Sequence, residues 1–415
     1  MAAYRKILHI DLDAFFCSVE ELLNPSLIGK VFAVGGSSEN RGVLSTCSYA
    51  ARKLGLHSAM PTAQALRICP NLILVHSGFS FYKQKSREVM QILGNYSPLL
   101  EQISIDEAFL DVSDLPDPPE QIAAAIQKEI NEKTRLHCSI GCGTNKLIAK
   151  IANNMGKKQS HTNTYPNAIT NIPAGHEAAF LAPLPVGEIW GIGKKTETSL
   201  NDLGIFTAEQ LAAYPTAPLS RIFGKNSAEM QNHARGIDNS PVLPDSEPAK
   251  SISQETTFPK DISDPAFLLN TIQEQSDQVG FQLRQKNLRG NTIRLKIRWE
   301  NFVTITRQIK VSPATDQDSV IFTNAQSLFE TVWKNNSRPV RLIGTGVTGT
   351  EPVPEQLSFL ENEENHIKET RLLQAVDKIH IKYGEESLKR GFEISASDKQ
   401  LSIEKTEKKK NPKGS

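Results

Sequence analysis

No apolar run in the 415-residue chain approaches the ~20 residues that a membrane helix needs, which excludes a helical membrane span. The first residues lack a basic stretch followed by an apolar signal core, so secretion is not expected. Cysteine is scarce. The five present (Cys17, Cys47, Cys69, Cys138 and Cys142) form no CxxC pair, so neither a zinc site nor a disulfide framework is expected. They read as reduced thiols of an intracellular protein. There is no internal repeat. A large charge of either sign is also missing, since the formal net charge is +1. A uniformly basic field is therefore not what would draw this chain to nucleic acid.

What is present is ordinary for a globular protein: 39% hydrophobic and 22% charged residues. The length is long for one core and fits two to four domains. The charge is unevenly distributed. Residues 281–310 carry eight basic side chains against the single acid Glu300, whereas residues 351–404 carry twelve acids against seven bases. A local basic face suits phosphate binding whatever the total.

The most informative stretch is Ser104-Ile105-Asp106-Glu107-Ala108. Ile103 and Ile105 share one strand phase; Ala108, Leu110 and Val112 share the other. The phase flips at Asp106-Glu107, which reads as a hairpin turn. At a turn both carboxylates can reach one site, whereas mid-strand neighbours point to opposite faces. Upstream, Leu8, Ile10 and Leu12 alternate with His9, Asp11 and Asp13, so Asp11 should project from a strand end. Carboxylates inside apolar runs call for a cation, and a divalent metal pair would meet that need. Spacing alone favours a solvated acidic turn beside an unrelated Asp, since acidic turns are common.

Three blocks carry more than spacing. Asp11-Leu12-Asp13-Ala14-Phe15-Phe16-Cys17-Ser18-Val19-Glu20, then Thr46-Cys47-Ser48-Tyr49-Ala50-Ala51-Arg52-Lys53, then Ser104 to Asp111 resemble the signature blocks of Y-family translesion DNA polymerases, closest to the DinB branch. Order and spacing agree, and the resemblance runs from about residue 5 to about residue 390.

That resemblance implies a template-directed, error-prone polymerase that adds dNTPs to a primer by two-metal phosphoryl transfer, without proofreading. Asp11, Asp106 and Glu107 would be catalytic. The same three, with the Leu12 carbonyl, would bind two Mg²⁺ ions, a hard cation suited to oxygen ligands. Phe16 matches the steric gate that excludes a ribose 2′-hydroxyl, with Phe15 as its sugar-packing neighbour. Tyr49, Arg52 and Lys157 match triphosphate-binding positions; Arg52 offers a fork of donors. Asp13 reads as structural. Ser45 and Ala59 should lie near the nascent base pair. Lys157-Lys158-Gln159-Ser160 replaces the usual Lys-Pro-Asn-Gly, so the loop there is expected to be less rigid than usual.

The implied fold is α+β and multidomain, a right-hand polymerase with a ferredoxin-like palm. Residues 1–12 and 78–165 form the palm, 13–77 the fingers and 166–235 a helical thumb. Residues 236–248 read as a linker, 249–350 as an α/β little finger and 351–415 as a tail. Val186 to Thr196 looks like a helix-hairpin-helix, with Gly191 and Gly193 letting backbone N–H groups and Lys194 approach a phosphate. Ile293, Leu295, Ile297 and Trp299 alternate with Arg294, Lys296 and Arg298, a half-buried strand whose basic face would grip a duplex without reading sequence. Gln356, Leu357, Phe359 and Leu360 belong to a segment resembling the bacterial sliding-clamp pentapeptide, with its last two residues reversed. A helix is expected from about Arg371 to Tyr383. The expected partners are primer–template DNA, dNTPs and the clamp. The enzyme is expected to be a monomer, cytoplasmic and nucleoid-associated. Competing readings are a non-catalytic DNA-binding accessory subunit and a nucleotide cyclase. The complete triad disfavours the first, and the duplex-binding elements disfavour the second.

Overall fold

The computed structural model describes residues 4–76, 78–160, 164–244, 248–353, 363–384 and 387–388. The chain divides into two units near residue 246.

The first unit is organised by β1 (Ile7–Leu12), whose two faces are both covered. Leu8, Ile10 and Leu12 enter the main core, while Ile7 packs with Phe109, Ala149 and Val242 on the opposite face. After β1 come α1 (Phe15–Leu23), β2 (Phe32–Gly35), β3 (Leu44–Cys47), α2 (Tyr49–Arg52), α3 (Thr62–Ile68) and β4 (Ile73–Val75). Strands β3-β2-β4 make a small sheet with its own apolar cluster. Then follow α4 (Phe79–Gly94), β5 (Leu100–Gln102), β6 (Glu107–Asp111), α5 (Pro119–Thr134), β7 (Cys138–Gly143), α6 (Lys146–Gln159) and β8 (Ile169–Asn171). The larger sheet has the order β5-β6-β1-β7-β8. Its first four strands are antiparallel neighbours in the ferredoxin-like arrangement. The sheet runs on to Asn171, past residue 165, because β8 adds in parallel to β7. Core packing likewise runs past residue 12, since Phe15, Cys17 and Val19 join the same cluster.

Helix α6 lies tight against the sheet because β7 carries glycine where it crosses. A Cβ on Gly141 would stand 2.0 Å from the Ala149 carbonyl oxygen. Asn145 caps this helix by accepting from the Ile148 N–H. Lys157 and Lys158 are in its last turn. The segment expected as a loop is therefore helix through Gln159, as nothing in Lys-Lys-Gln stops it where a proline or glycine would. The remaining helices are α7 (Glu177–Leu181), α8 (Lys194–Asp202), α9 (Ala208–Ala213), α10 (Thr216–Phe223) and α11 (Asn226–Ala234). They share a core with Leu147, Ile148 and Ile151 of α6.

The second unit is a sheet of order β11-β10-β12-β9, built from β9 (Ser251–Ile262), β10 (Leu288–Trp299), β11 (Thr304–Thr315) and β12 (Val340–Pro352). Helices α12 (Pro265–Gln285) and α13 (Asp318–Asn335) cover the face that carries Ile293, Leu295, Ile297 and Trp299. Helix α14 (Glu363–Tyr383) begins before Arg371, and its Asp377 meets Arg284 of α12 at 2.7 Å. Residues 356–360 lie outside the described residues.

Candidate active site

Strand register brings the carboxylates together. Asp11 of β1 and Glu107 of β6 are cross-strand partners. Asp106 immediately precedes Glu107, and its carbonyl accepts from the Leu12 N–H at 3.0 Å. The turn between β5 and β6 is organised by Ser104. Its hydroxyl donates to Asp106 Oδ1 at 2.5 Å and accepts from the Glu107 N–H at 3.0 Å. The row Asp11, His9 and Ile7 faces α6, because Leu8, Ile10 and Leu12 face the other core. Consequently α6 supplies the cations. Lys157 Nζ lies 2.6 Å from Asp11 Oδ1 and 3.0 Å from Asp13 Oδ1. Lys150 Nζ lies 2.8 Å from Glu107 Oε2.

Asp13 is fully buried and accepts from Ser139 Oγ and the Asn167 N–H, so it holds loop and strand together as a structural residue. Asp11 differs. Burial raises its carboxyl from 3.8 to about 6, against the opposing pull of Lys157, and Glu107 and Asp106 add to the rise. Burial would lower Lys157, but Asp11 and Asp13 outweigh it and raise the ammonium. His9 holds Glu107 below the usual carboxylate range, burial opposes that, and Lys150 reinforces it. The His9 contact, at 3.9 Å, is longer than a hydrogen bond. Burial also lowers the His9 imidazole to about 4, so it is neutral at pH 7. Lys150 is therefore the stronger partner of Glu107.

A cavity of about 270 Å³ opens beside Asp11 and Asp106, lined also by Leu12, Phe15, Phe16, Ser45, Tyr49, Arg52 and Lys157. Nine expected residues from four separate blocks thus meet in one space; Glu107 and Ala59 do not line it. Phe16 is half-buried and stacked on Tyr82, with ring centres 4.4 Å apart. The Tyr82 hydroxyl donates to Glu20 at 2.5 Å, which fixes that backing ring. Phe15 is buried beneath Phe16 and presents little surface. Arg52 lies over the Tyr49 ring at 4.8 Å, and its Nε donates to the Cys47 carbonyl at 3.2 Å.

Among the described residues, no three His, Cys, Asp or Glu side chains converge as a ready cage. Each carboxylate has its own partner: Lys157, Ser104 and Lys150. The donor chemistry still suits divalent cations, because oxygen ligands from two adjacent strand ends crowd a half-buried Asp11, and the nearby Glu107 and Asp106 make its carboxyl harder to ionise despite Lys157. Sequence reasoning missed Ser104, Lys150 and Tyr82 as supports. Their signals, a serine two residues before an aspartate and a lysine or tyrosine on a helix, are too common to stand out.

Elsewhere in this unit, Gly191 has φ +96° and Gly193 caps α8, whose first residue Lys194 is exposed. In the second unit, Arg294, Lys296 and Arg298 share the outer face of β10. Lys296 pairs with Glu255 at 2.6 Å, and Arg298 donates to Thr304 at 2.8 Å.

Family models match three segments: the impB/mucB/samB family over residues 10–154, its C-terminal domain over 249–359, and the IMS family HHH motif over 175–205. A DNA polymerase IV of Dehalococcoides mccartyi is 38% identical over 399 residues, covering 95% of this chain and 99% of that protein. A solved Y-family DNA polymerase chimera of Dbh and Dpo4 superposes with TM-score 0.74 at 26% identity, covering 84% of this chain and 99% of the other. An insertion ternary complex of Dbh DNA polymerase gives TM-score 0.58 at 26% identity, covering 84% and 99%.

Proposed function

The chain belongs to the Y-family of DNA polymerases, in the branch named DNA polymerase IV, and from that premise we propose how its residues divide the work. It is a DNA-directed DNA polymerase of translesion synthesis, a nucleotidyltransferase acting on primer–template DNA and dNTPs. The observation that carries our assignment is the register pairing of Asp11 with Glu107, with Asp106 next to Glu107 and lining the same cavity as Asp11, Arg52 and Lys157.

In the reaction the primer 3′-oxygen attacks the α-phosphorus, the bond to the β-phosphate breaks, and pyrophosphate leaves with the hydroxyl proton passing to solvent. Asp11, Asp106, Glu107 and the Leu12 carbonyl would hold two Mg²⁺ ions, which when bound supply positive charge to the attacking and leaving oxygens. Arg52 and Lys157 neutralise the triphosphate, with Tyr49 packing beneath the guanidinium. Phe16, backed by Tyr82, sits under the sugar and excludes a 2′-hydroxyl by volume. Ser104 fixes the Asp106 rotamer before substrate arrives.

The DNA-binding hairpin at Gly191, Gly193 and Lys194 and the β10 face of Arg294, Lys296 and Arg298 grip phosphates without reading bases. We assign residues 1–12 and 78–165 as palm, 13–77 as fingers, 166–235 as thumb and 249–350 as little finger. Gln356 to Leu360 is proposed to tether a monomeric enzyme to the sliding clamp on nucleoid DNA in the cytoplasm, raising processivity through effective concentration. No described helix is long and apolar enough to cross a membrane.

The test is primer extension with four dNTPs and Mg²⁺, comparing wild type with Asp106→Ala. Extension should vanish in the variant. A wild type that binds duplex but does not extend would instead support an accessory subunit.

A further inference from the structure

Lys150 lies outside the nucleotide cavity, yet it is the cation against Glu107. Its Nζ is 2.8 Å from Glu107 Oε2 and 3.3 Å from His9 Nε2. The same ammonium stands 5.8 Å from the centre of the Trp190 ring, which packs on Phe109 at 5.7 Å. Trp190 belongs to the segment leading into Gly191 and Gly193, so one ammonium joins the carboxylate, a buried imidazole and the phosphate-binding hairpin. It is not a solvated lysine, because its side chain is only 15% exposed. Lys146, one turn earlier on α6, is committed elsewhere, to Glu101 at 2.9 Å.

Glu107 needs such a partner. It is the first residue of β6 and carries a long side chain that loses rotamer freedom when held in one orientation. Ser104 fixes its backbone N–H and leaves the carboxylate to others. A charge-assisted bond from a lysine that is itself confined supplies both direction and strength.

We propose that Lys150 is a positioning residue for Glu107. It sets the carboxylate's rotamer for the chemical step without touching substrate, and Trp190 confines it from the side of the DNA-binding hairpin. This rests on the reading of Glu107 as one of the catalytic carboxylates. A positioning role predicts a loss confined to the chemical step, whereas a direct phosphate contact would weaken DNA binding.

The experiment compares Lys150→Met, Glu107→Gln and the double variant in single-nucleotide insertion. Primer–template Kd is measured by fluorescence anisotropy, and folding by thermal melting. Lys150→Met should lower kcat on the order of tenfold to a hundredfold. Its dNTP KM and primer–template Kd should stay within about twofold of wild type. The double variant should be no slower than Glu107→Gln alone, because the lysine acts only through that carboxylate. If Glu107→Gln is slow and Lys150→Met is not, the inference is wrong and the site reading stands. If Glu107→Gln is as fast as wild type, the site reading itself is wrong. Weakened primer–template binding at unchanged kcat would make Lys150 a phosphate contact and overturn the proposal. Should Lys150→Met fail to fold, Trp190→Leu leaves the lysine in place but unconfined. It should lower kcat at saturating DNA, and a wild-type kcat there would refute the proposal.

Discussion

Replacing Phe16 with alanine tests the shape of the nucleotide cavity. The Phe16 ring rests on Tyr82 at 4.4 Å, and Tyr82 is bonded to Glu20 at 2.5 Å, so the ring cannot retreat from an added atom. Forcing an extra group against a packed ring costs about 1–3 kcal/mol. At 1.36 kcal/mol per tenfold, that is discrimination of about 5- to 160-fold against a 2′-hydroxyl. Phe16→Ala should surrender that factor. The fold should survive, because the ring is half-buried and its loss costs less than the about 3–5 kcal/mol of a fully buried phenylalanine. The assay is single-nucleotide insertion of a dNTP and the matching rNTP opposite one template base, compared as kcat/KM. A ratio within about twofold of wild type, in a variant that still inserts dNTPs, would remove Phe16 from the gate.

Other outcomes follow from the same geometry. Arg294→Ala should weaken duplex binding equally for unrelated sequences and reduce the slope of log K against log salt by about one; a change for one sequence only would contradict backbone gripping. Asp11 is harder to ionise in the folded protein, so its contribution to stability is full below the unfolded value near 3.8 and is lost as pH rises through about 6. In EDTA, wild type should therefore lose stability relative to Asp11→Asn between pH 4 and pH 7; melting curves that stay parallel would refute the burial argument.

The sequence exposed the residues that gather around the cavity more fully than the ends of the strands and helices, and the reason is local. Asp11, Asp106 and Glu107 announce themselves by breaking apolar alternation, but the turn falls at residues 103–106, so Ile103 and Ile105 lie outside a strand, Asp106 precedes β6 and Glu107 opens it opposite Asp11. Phe16, Tyr49 and Arg52 are invisible as chemistry without the resemblance, since a phenylalanine in an apolar run or an arginine on a short helix is ordinary. The course of α6 was misjudged at Lys157 because the resemblance carried a loop that Lys-Lys-Gln does not encode. The fifth strand, Ile169–Asn171, is only three residues long and is defined by its partner β7, a tertiary fact with almost no local signal.

The register of β1 between β6 and β7 has a consequence for how activity is lost on heating. Asp11 and Glu107 are spaced by a ladder of backbone hydrogen bonds in the interior of a five-stranded sheet, not by a loop that can open alone. Amide protons along Ile7–Leu12 should exchange only through global unfolding of this unit, while those of the short edge strands exchange earlier. Loss of the Asp11–Glu107 spacing on heating should accordingly coincide with the cooperative melting of the sheet, not precede it.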